Sequence, residues 1–195
     1  MSRRILILPI SAVVIVLVCL YGYSRKQDAS SRQAALPTAK RPAQSLLFTL
    51  KDQNNKSVRL ERYFGRHPIL LVFFDQRTGA DRDPVLLSLR KEWNRLKREN
   101  VIVLGVSTAL PQDNRKRIEE KQEENPDFDL PFPLLTDLPP ECRVHRQWGR
   151  FDEAVGLPLP GLFYIDRAGN VDWAGRFPKP VSDVEQVLDF KKVES

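Results

Sequence analysis

Two stretches of this sequence carry side chains whose types and spacing could do chemistry. In ECRVHRQW, Cys142 and His145 stand three residues apart. That spacing puts both on one face of a helix, where an imidazole can lower a thiol pKa or share a metal with it. In DQRTGADRD, residues 75–83, Asp75 and Asp81 alternate with Arg77 and Arg82, groups that acid–base work can use. Each stretch also has a plainer reading, and it is the one adopted. Cys142 is then a small apolar residue packed under a sheet beside a partly exposed His145, and the loop charges are solvated or paired with one another. A metal site needs further ligands, and the other histidine, His67, ends a distant turn, so no metal and no cofactor is expected.

The elements that must position these residues follow from apolar patterning. Ile69 to Phe74 is short, β-branched and aromatic, and reads as a central strand buried on both faces. After it, Asp83 can cap a helix with Pro84 at its first position, and Val85, Leu86, Leu89, Trp93 and Leu96 recur at helical spacing. Val101 to Val106 reads as a second buried strand. Asn114 to Asn125 reads as a solvated helix with i, i+4 pairs such as Lys116 with Glu120. A strand segment at Phe132 to Leu135 and a short helix at Glu141 to Trp148 come next. Two strands at Leu162 to Ile165 and Val171 to Ala174 are joined by the turn Arg167 to Asn170. Ser182 and Glu185 form a capping box for a last helix reaching Lys192. Upstream of the central strand, LLFTLKDQNNKSVRL reads as two strands joined at Gln53, Asn54 and Asn55, followed by a helical turn at Glu61 to Phe64. This order describes an α/β domain, a mixed β-sheet with helices on both faces.

Charge divides the chain. The net charge is +6, yet residues 1–41 hold seven Lys/Arg against Asp28 alone, leaving residues 42–195 balanced at 24 basic and 24 acidic. A neutral domain argues against a nucleic-acid partner and places the basic excess beside anionic headgroups. After a short flank, residues 1–4, the run Ile5 to Tyr23 has nineteen residues without a charge and reads as a transmembrane anchor. It is longer than a signal-peptide core and lacks a small-x-small site, and Val18 before Cys19 does not fit a lipoprotein. Residues 24–45 form a flexible basic tether and residues 46–195 the domain. Positive charges favour a cytoplasmic C-terminal flank, whereas a short N-terminus commonly stays inside; the second rule is adopted, with the domain extracytoplasmic. Cys19 in lipid cannot pair with Cys142, so no disulfide framework is expected.

The phrases FTLKDQNNKSVRL, ILLVFFDQRTG, VIVLGVST, LPFPLLTD and PLPGLFYIDRAGNV resemble, in this order, the thioredoxin superfamily and within it the peroxiredoxin-like group, the alkyl hydroperoxide reductase and thiol-specific antioxidant redoxins. The likeness covers about residues 46–190. It implies a thioredoxin-like fold, makes Pro160 look like the family's cis-proline beside the active site, and implies a thiolate nucleophile on the first turn after the central strand. Matching Thr78 to the family's T-x-x-C motif puts Asp81 at that nucleophile. Aligning from the strand end puts Arg82 there, and a C-x-x-C register puts Gly79 and Arg82 at the two cysteines. None supplies a sulfur, because no cysteine occurs between Cys19 and Cys142.

Three functions are therefore carried forward. The first is a degenerate redoxin that acts as a binding or assembly module near the membrane, with an unidentified protein partner. The second is a thiol oxidoreductase in cell redox homeostasis using Cys142 with His145. The third is a small-anion or small-ligand sensor at the former nucleophile loop, using Thr78 and the arginines; Thr78, Arg77, Arg82 and Pro160 are the candidate binding residues.

Overall fold

A computed structural model describes residues 40–185. The expected flank at 1–4, the anchor at 5–23 and the tether up to residue 39 lie outside the described residues. No helix among those described is long and apolar enough to cross a membrane.

The sheet is built around β4 (Ile69–Phe73), five residues that are all buried. It pairs in parallel with β5 (Ile102–Ser107), which pairs in parallel with β6 (Leu134–Thr136). On the other side β4 runs antiparallel to β9 (Gly161–Ile165), and β9 to β10 (Asn170–Ala174). The hairpin β2 (Thr49–Lys51) and β3 (Ser57–Arg59) completes one flank through β2 beside β6. At the opposite edge β1 (Lys40–Pro42) and β11 (Phe177–Pro178) both pair with β10. Among the described residues, Lys40–Pro42, which the sequence reading assigned to the tether, thus pair with the sheet. Ala43 and Leu46 are buried just after β1, and Arg41 stacks over the Trp173 ring at 5.0 Å, so Trp173 is a packed residue. A further hairpin, β7 (Phe151–Asp152) with β8 (Leu157–Pro158), stands off the sheet.

Alternation along β4 supplies both cores. Leu70, Val72 and Phe74 face one cluster with Leu86, Leu89, Leu96 and Val103, whereas Leu71 and Phe73 face another with Val106, Val144, Trp148 and Phe163. The helix expected over Val85 to Leu96 is two helices, α1 (Pro84–Lys91) and α2 (Trp93–Arg98), meeting at Glu92 with ψ near 5°. Apolar spacing continues through the break, so the buried face is common to both. Helix α2 ends as such helices commonly do: Asn100 takes φ 61°, and Val101 N–H reaches back to the Leu96 carbonyl at 2.9 Å. That turn delivers the chain directly into β5.

Helix α3 (Pro111–Glu124) follows β5, and α4 (Arg143–Gln147) follows β6. Helix α4 is shorter than expected. Cys142 stands before it as the cap residue with φ 42° and ψ 48°, in left-handed backbone, so it does not share a helical face with His145. The cis peptide bond among the described residues is Pro139-Pro140. Pro160 is therefore trans, against the family expectation. Leu159 N–H donates to the Arg150 carbonyl at 2.8 Å, so the chain is still tied to Arg150 just before β9 begins. At the C-terminal limit of the described residues, Asp183 accepts the Glu185 N–H at 3.0 Å, and the rest of the stretch expected to be helical, up to Lys192, lies outside them.

Candidate functional site

Because β4, β5 and β6 are parallel, the segments after them leave the same end of the sheet. Open α/β sheets bind ligands at that end. The loop Asp75–Asp83, the turn at Thr108–Leu110 and the segment Asp137–Cys142 are thereby gathered at one rim. Two bonds tie the last two together: Thr136 Oγ1 donates to the Ala109 carbonyl at 2.9 Å, and Asp137 N–H to the Ser107 carbonyl at 2.8 Å.

In the loop, the charges expected to be solvated or paired fall into three different situations. Arg77 is exposed and grips both oxygens of Asp75, Nη2 to Oδ2 at 2.6 Å and Nε to Oδ1 at 3.1 Å. The hydrogen bonds from Arg77 hold the Asp75 carboxyl below its ordinary pKa. Asp83 turns back as the cap of α1 and accepts the N–H groups of Val85 and Leu86, each at 3.0 Å. Burial pushes its pKa up against those bonds, and the nearby Asp75 charge adds to the rise. Asp81 is only 7% exposed; its Oδ2 lies 3.3 Å from Arg82 Nε and its Oδ1 3.7 Å from Arg117 Nη1. Thr78 and Arg82 are exposed, and Gly79, at φ 80°, is buried. The donor-rich cradle expected at the helix start is thus already filled by a carboxylate of the chain itself, which disfavours a second anion there. Pro160 contributes only its carbonyl, to Arg150 Nη1 at 3.3 Å.

Cys142 and His145 are both deeply buried, at 3% and 0% exposure, so His145 is not the partly exposed residue expected. The imidazole is bonded to a residue that sequence reading missed: Nδ1 lies 2.7 Å from Asp137 Oδ2, and the His145 backbone N–H donates to the same oxygen at 2.8 Å. Nε2 is buried without a hydrogen-bond partner, and the ring packs edge-on against Phe73 at 5.0 Å. Burial works to raise the Asp137 pKa, but the bonds from His145 outweigh it and hold the carboxyl below its ordinary value. Burial pushes the Cys142 thiol pKa up, and the Asp137 charge adds to the rise. This is the reverse of what activates a thiolate. Among the described residues no group of three or more His, Cys, Asp or Glu converges as metal ligands.

A second missed residue is Arg117. It sits on a helix whose charges do pair at i, i+4, Lys116 with Glu120 at 3.5 Å and Arg115 with Glu119 at 3.9 Å. Arg117 points elsewhere, to Asp81 in the loop. The available signal was the break in charge at Asn114, which is fully buried and marks the inner face of α3 one turn before Arg117. Between loop and helix lies a cleft of about 570 Å³, lined by Arg77, Ala109, Asp113, Lys116, Arg117 and Glu120 together with Gln76.

Residues 41–174 match the AhpC/TSA family. Alkyl hydroperoxide reductase E of Mycobacterium tuberculosis is 30% identical over 127 residues, 65% of this chain and 78% of that protein. Chloroplastic peroxiredoxin Q of Gentiana triflora is 26% identical over 149 residues, 73% of this chain and 62% of that one. Among solved structures, the mitochondrial 2-Cys peroxiredoxin of Plasmodium falciparum superposes with a TM-score of 0.56 at 18% identity, over 82% of this chain and 98% of that chain. The reduced 2-Cys peroxiredoxin of Plasmodium vivax gives 0.59 at 15%, over 80% and 96%.

Proposed function

We propose that this chain, which belongs to the AhpC/TSA family, is a redoxin domain that binds rather than turns over substrate. Reduction of a peroxide needs a thiolate sulfur to attack the O–O bond, taking one oxygen as sulfenic acid while the other leaves as alcohol or water. A carboxylate or guanidinium cannot donate that electron pair. The observation that carries the reading is the filled helix start: Asp83 occupies the N–H groups of Val85 and Leu86, and no residue of the loop bears sulfur.

One observation favours a second reading, thiol peroxidase chemistry at Cys142. The relatives are named for peroxide reduction, and Cys142 leaves the same rim of the sheet as the loop. Its burial and raised pKa weigh against it. Peroxide consumption by the full-length protein, compared with Cys142→Ser, separates the two. Equal background rates support the binding module, and turnover lost on substitution overturns it.

The module reading includes a membrane setting. It is supported by the uncharged run Ile5 to Tyr23, flanked by Arg3 and Arg4 and by Arg25 and Lys26, and by a basic tether ahead of a neutral domain. The partner is a protein held near that surface, with the domain extracytoplasmic. A cysteine placed at Gln33 that a membrane-impermeant reagent labels in intact cells supports this side, and protection from labelling contradicts it.

A further inference from the structure

We propose that the cleft between the loop Asp75–Asp83 and α3 is a binding site for a small zwitterion of amino-acid type, its carboxylate on Arg117 and its ammonium on Asp113. The inference deepens the binding-module reading and rests on it.

The lining cations differ in what they have left to give. Arg77 is spent on both oxygens of Asp75, and Lys116 lies 3.5 Å from Glu120. Arg117 is 36% exposed, and its nearest acid, Asp81, stands at 3.7 Å, too far for a hydrogen bond. Among the described residues its planar fork of N–H donors is otherwise unused, and that fork matches a carboxylate in shape. It is also seated from behind. A Cβ on Gly79 would come within 2.5 Å of Arg117 Nη1 and 2.6 Å of Asp81 Oδ1, so the guanidinium lies close against the loop backbone and the buried carboxylate. Asp81 and Gly79 are in this sense positioning residues, and Arg117 is the contact.

The charges that line the cleft point to a polar occupant. Behind Arg117, Asp81 Oδ1 is buried without a hydrogen-bond partner and lies 3.7 Å from the guanidinium, which keeps Arg117 beside the loop. In addition, Asp113 and Arg117 are opposite charges at i, i+4 that both line the cleft and yet form no ion pair, although other such pairs on the same helix do. Both signs of charge are therefore offered to the same space. A ligand carrying both signs uses them, whereas a phosphate or simple carboxylate would meet Asp113 without compensation. The volume of about 570 Å³ suits a small molecule.

The test is thermal unfolding of the full-length protein with the standard L-amino acids added singly, beside acetate and inorganic phosphate. At least one amino acid should raise the midpoint in a concentration-dependent way, and Arg117→Gln and Asp113→Asn should each weaken that ligand by about tenfold or more. Glu119→Gln, outside the cleft, should leave it unchanged, and unliganded midpoints report whether each variant folds. Midpoints that no amino acid moves, a shift that survives both substitutions, or an equal effect of acetate or phosphate would overturn the zwitterion site. A flat titration without peroxide turnover removes this inference alone. Turnover abolished by Cys142→Ser removes the binding-module reading, whatever the titration shows.

Discussion

The carboxylate of Asp83 accepts the backbone N–H of Leu86 at 3.0 Å, so the first turn of α1 already holds its anion. In this family the same turn is where a thiolate would be expected to gain its stabilisation. Here the helix start is used to end a loop.

Asp83→Ala should therefore cost stability, about 0.5–2 kcal/mol for the lost cap, with Asp83→Asn losing less because asparagine caps almost as well. Chemical denaturation with an unchanged m-value checks this. An equal loss for asparagine and alanine would show that the charge, and not the cap, is what matters.

Cys142 should be slow to react. Burial and the raised pKa leave little accessible thiolate near neutral pH, so alkylation of folded protein should run at least about tenfold slower than after denaturation. Equal rates in the two states would mean that the thiol is open to solvent and would revive it as a candidate nucleophile.

The Asp137–His145 pair gives a pH signature. The folded Asp137 pKa lies below its ordinary value, so its contribution is fully present above that value and is lost as pH falls through the folded one. Asp137→Asn should cost about 1–3 kcal/mol near neutral pH, and the gap from the parent protein should narrow below roughly pH 4. Parallel stability curves down to acid would contradict the assignment.

Gly79→Ala should destabilise by about 1–3 kcal/mol, because φ near 80° disfavours a side chain and the added methyl meets the ends of Arg117 and Asp81. The Arg117 guanidinium can give way, whereas the buried Asp81 carboxylate cannot move far, so the cost is shared between the backbone and that contact. A neutral result would mean that the loop readily adopts another conformation.

Much of the frame was legible because it rests on local patterns. Ile69 to Phe74 is apolar at every position, and Asp83 with Pro84 states the start of α1 within two residues. What escaped was non-local or masked by a commoner pattern. Asp137 and His145 meet only because a turn and a left-handed Cys142 fold α4 back, a conformation that nothing in CRVH announces. Arg117 was hidden in a charge run because its neighbours do pair along the helix, as such runs commonly do. Strand β1 pairs with β10 across the whole length of the domain, and Lys40 to Pro42 have no apolar alternation to mark a strand. Pro160 was assigned by likeness, and backbone geometry decided otherwise.

The initial rate of hydrogen peroxide consumption by the full-length protein with a dithiol reductant decides most directly between binding and catalysis. The rate should equal that of Cys142→Ser and of reductant alone. Catalytic consumption above background, lost in Cys142→Ser, would contradict the binding-module reading and make this chain a thiol peroxidase.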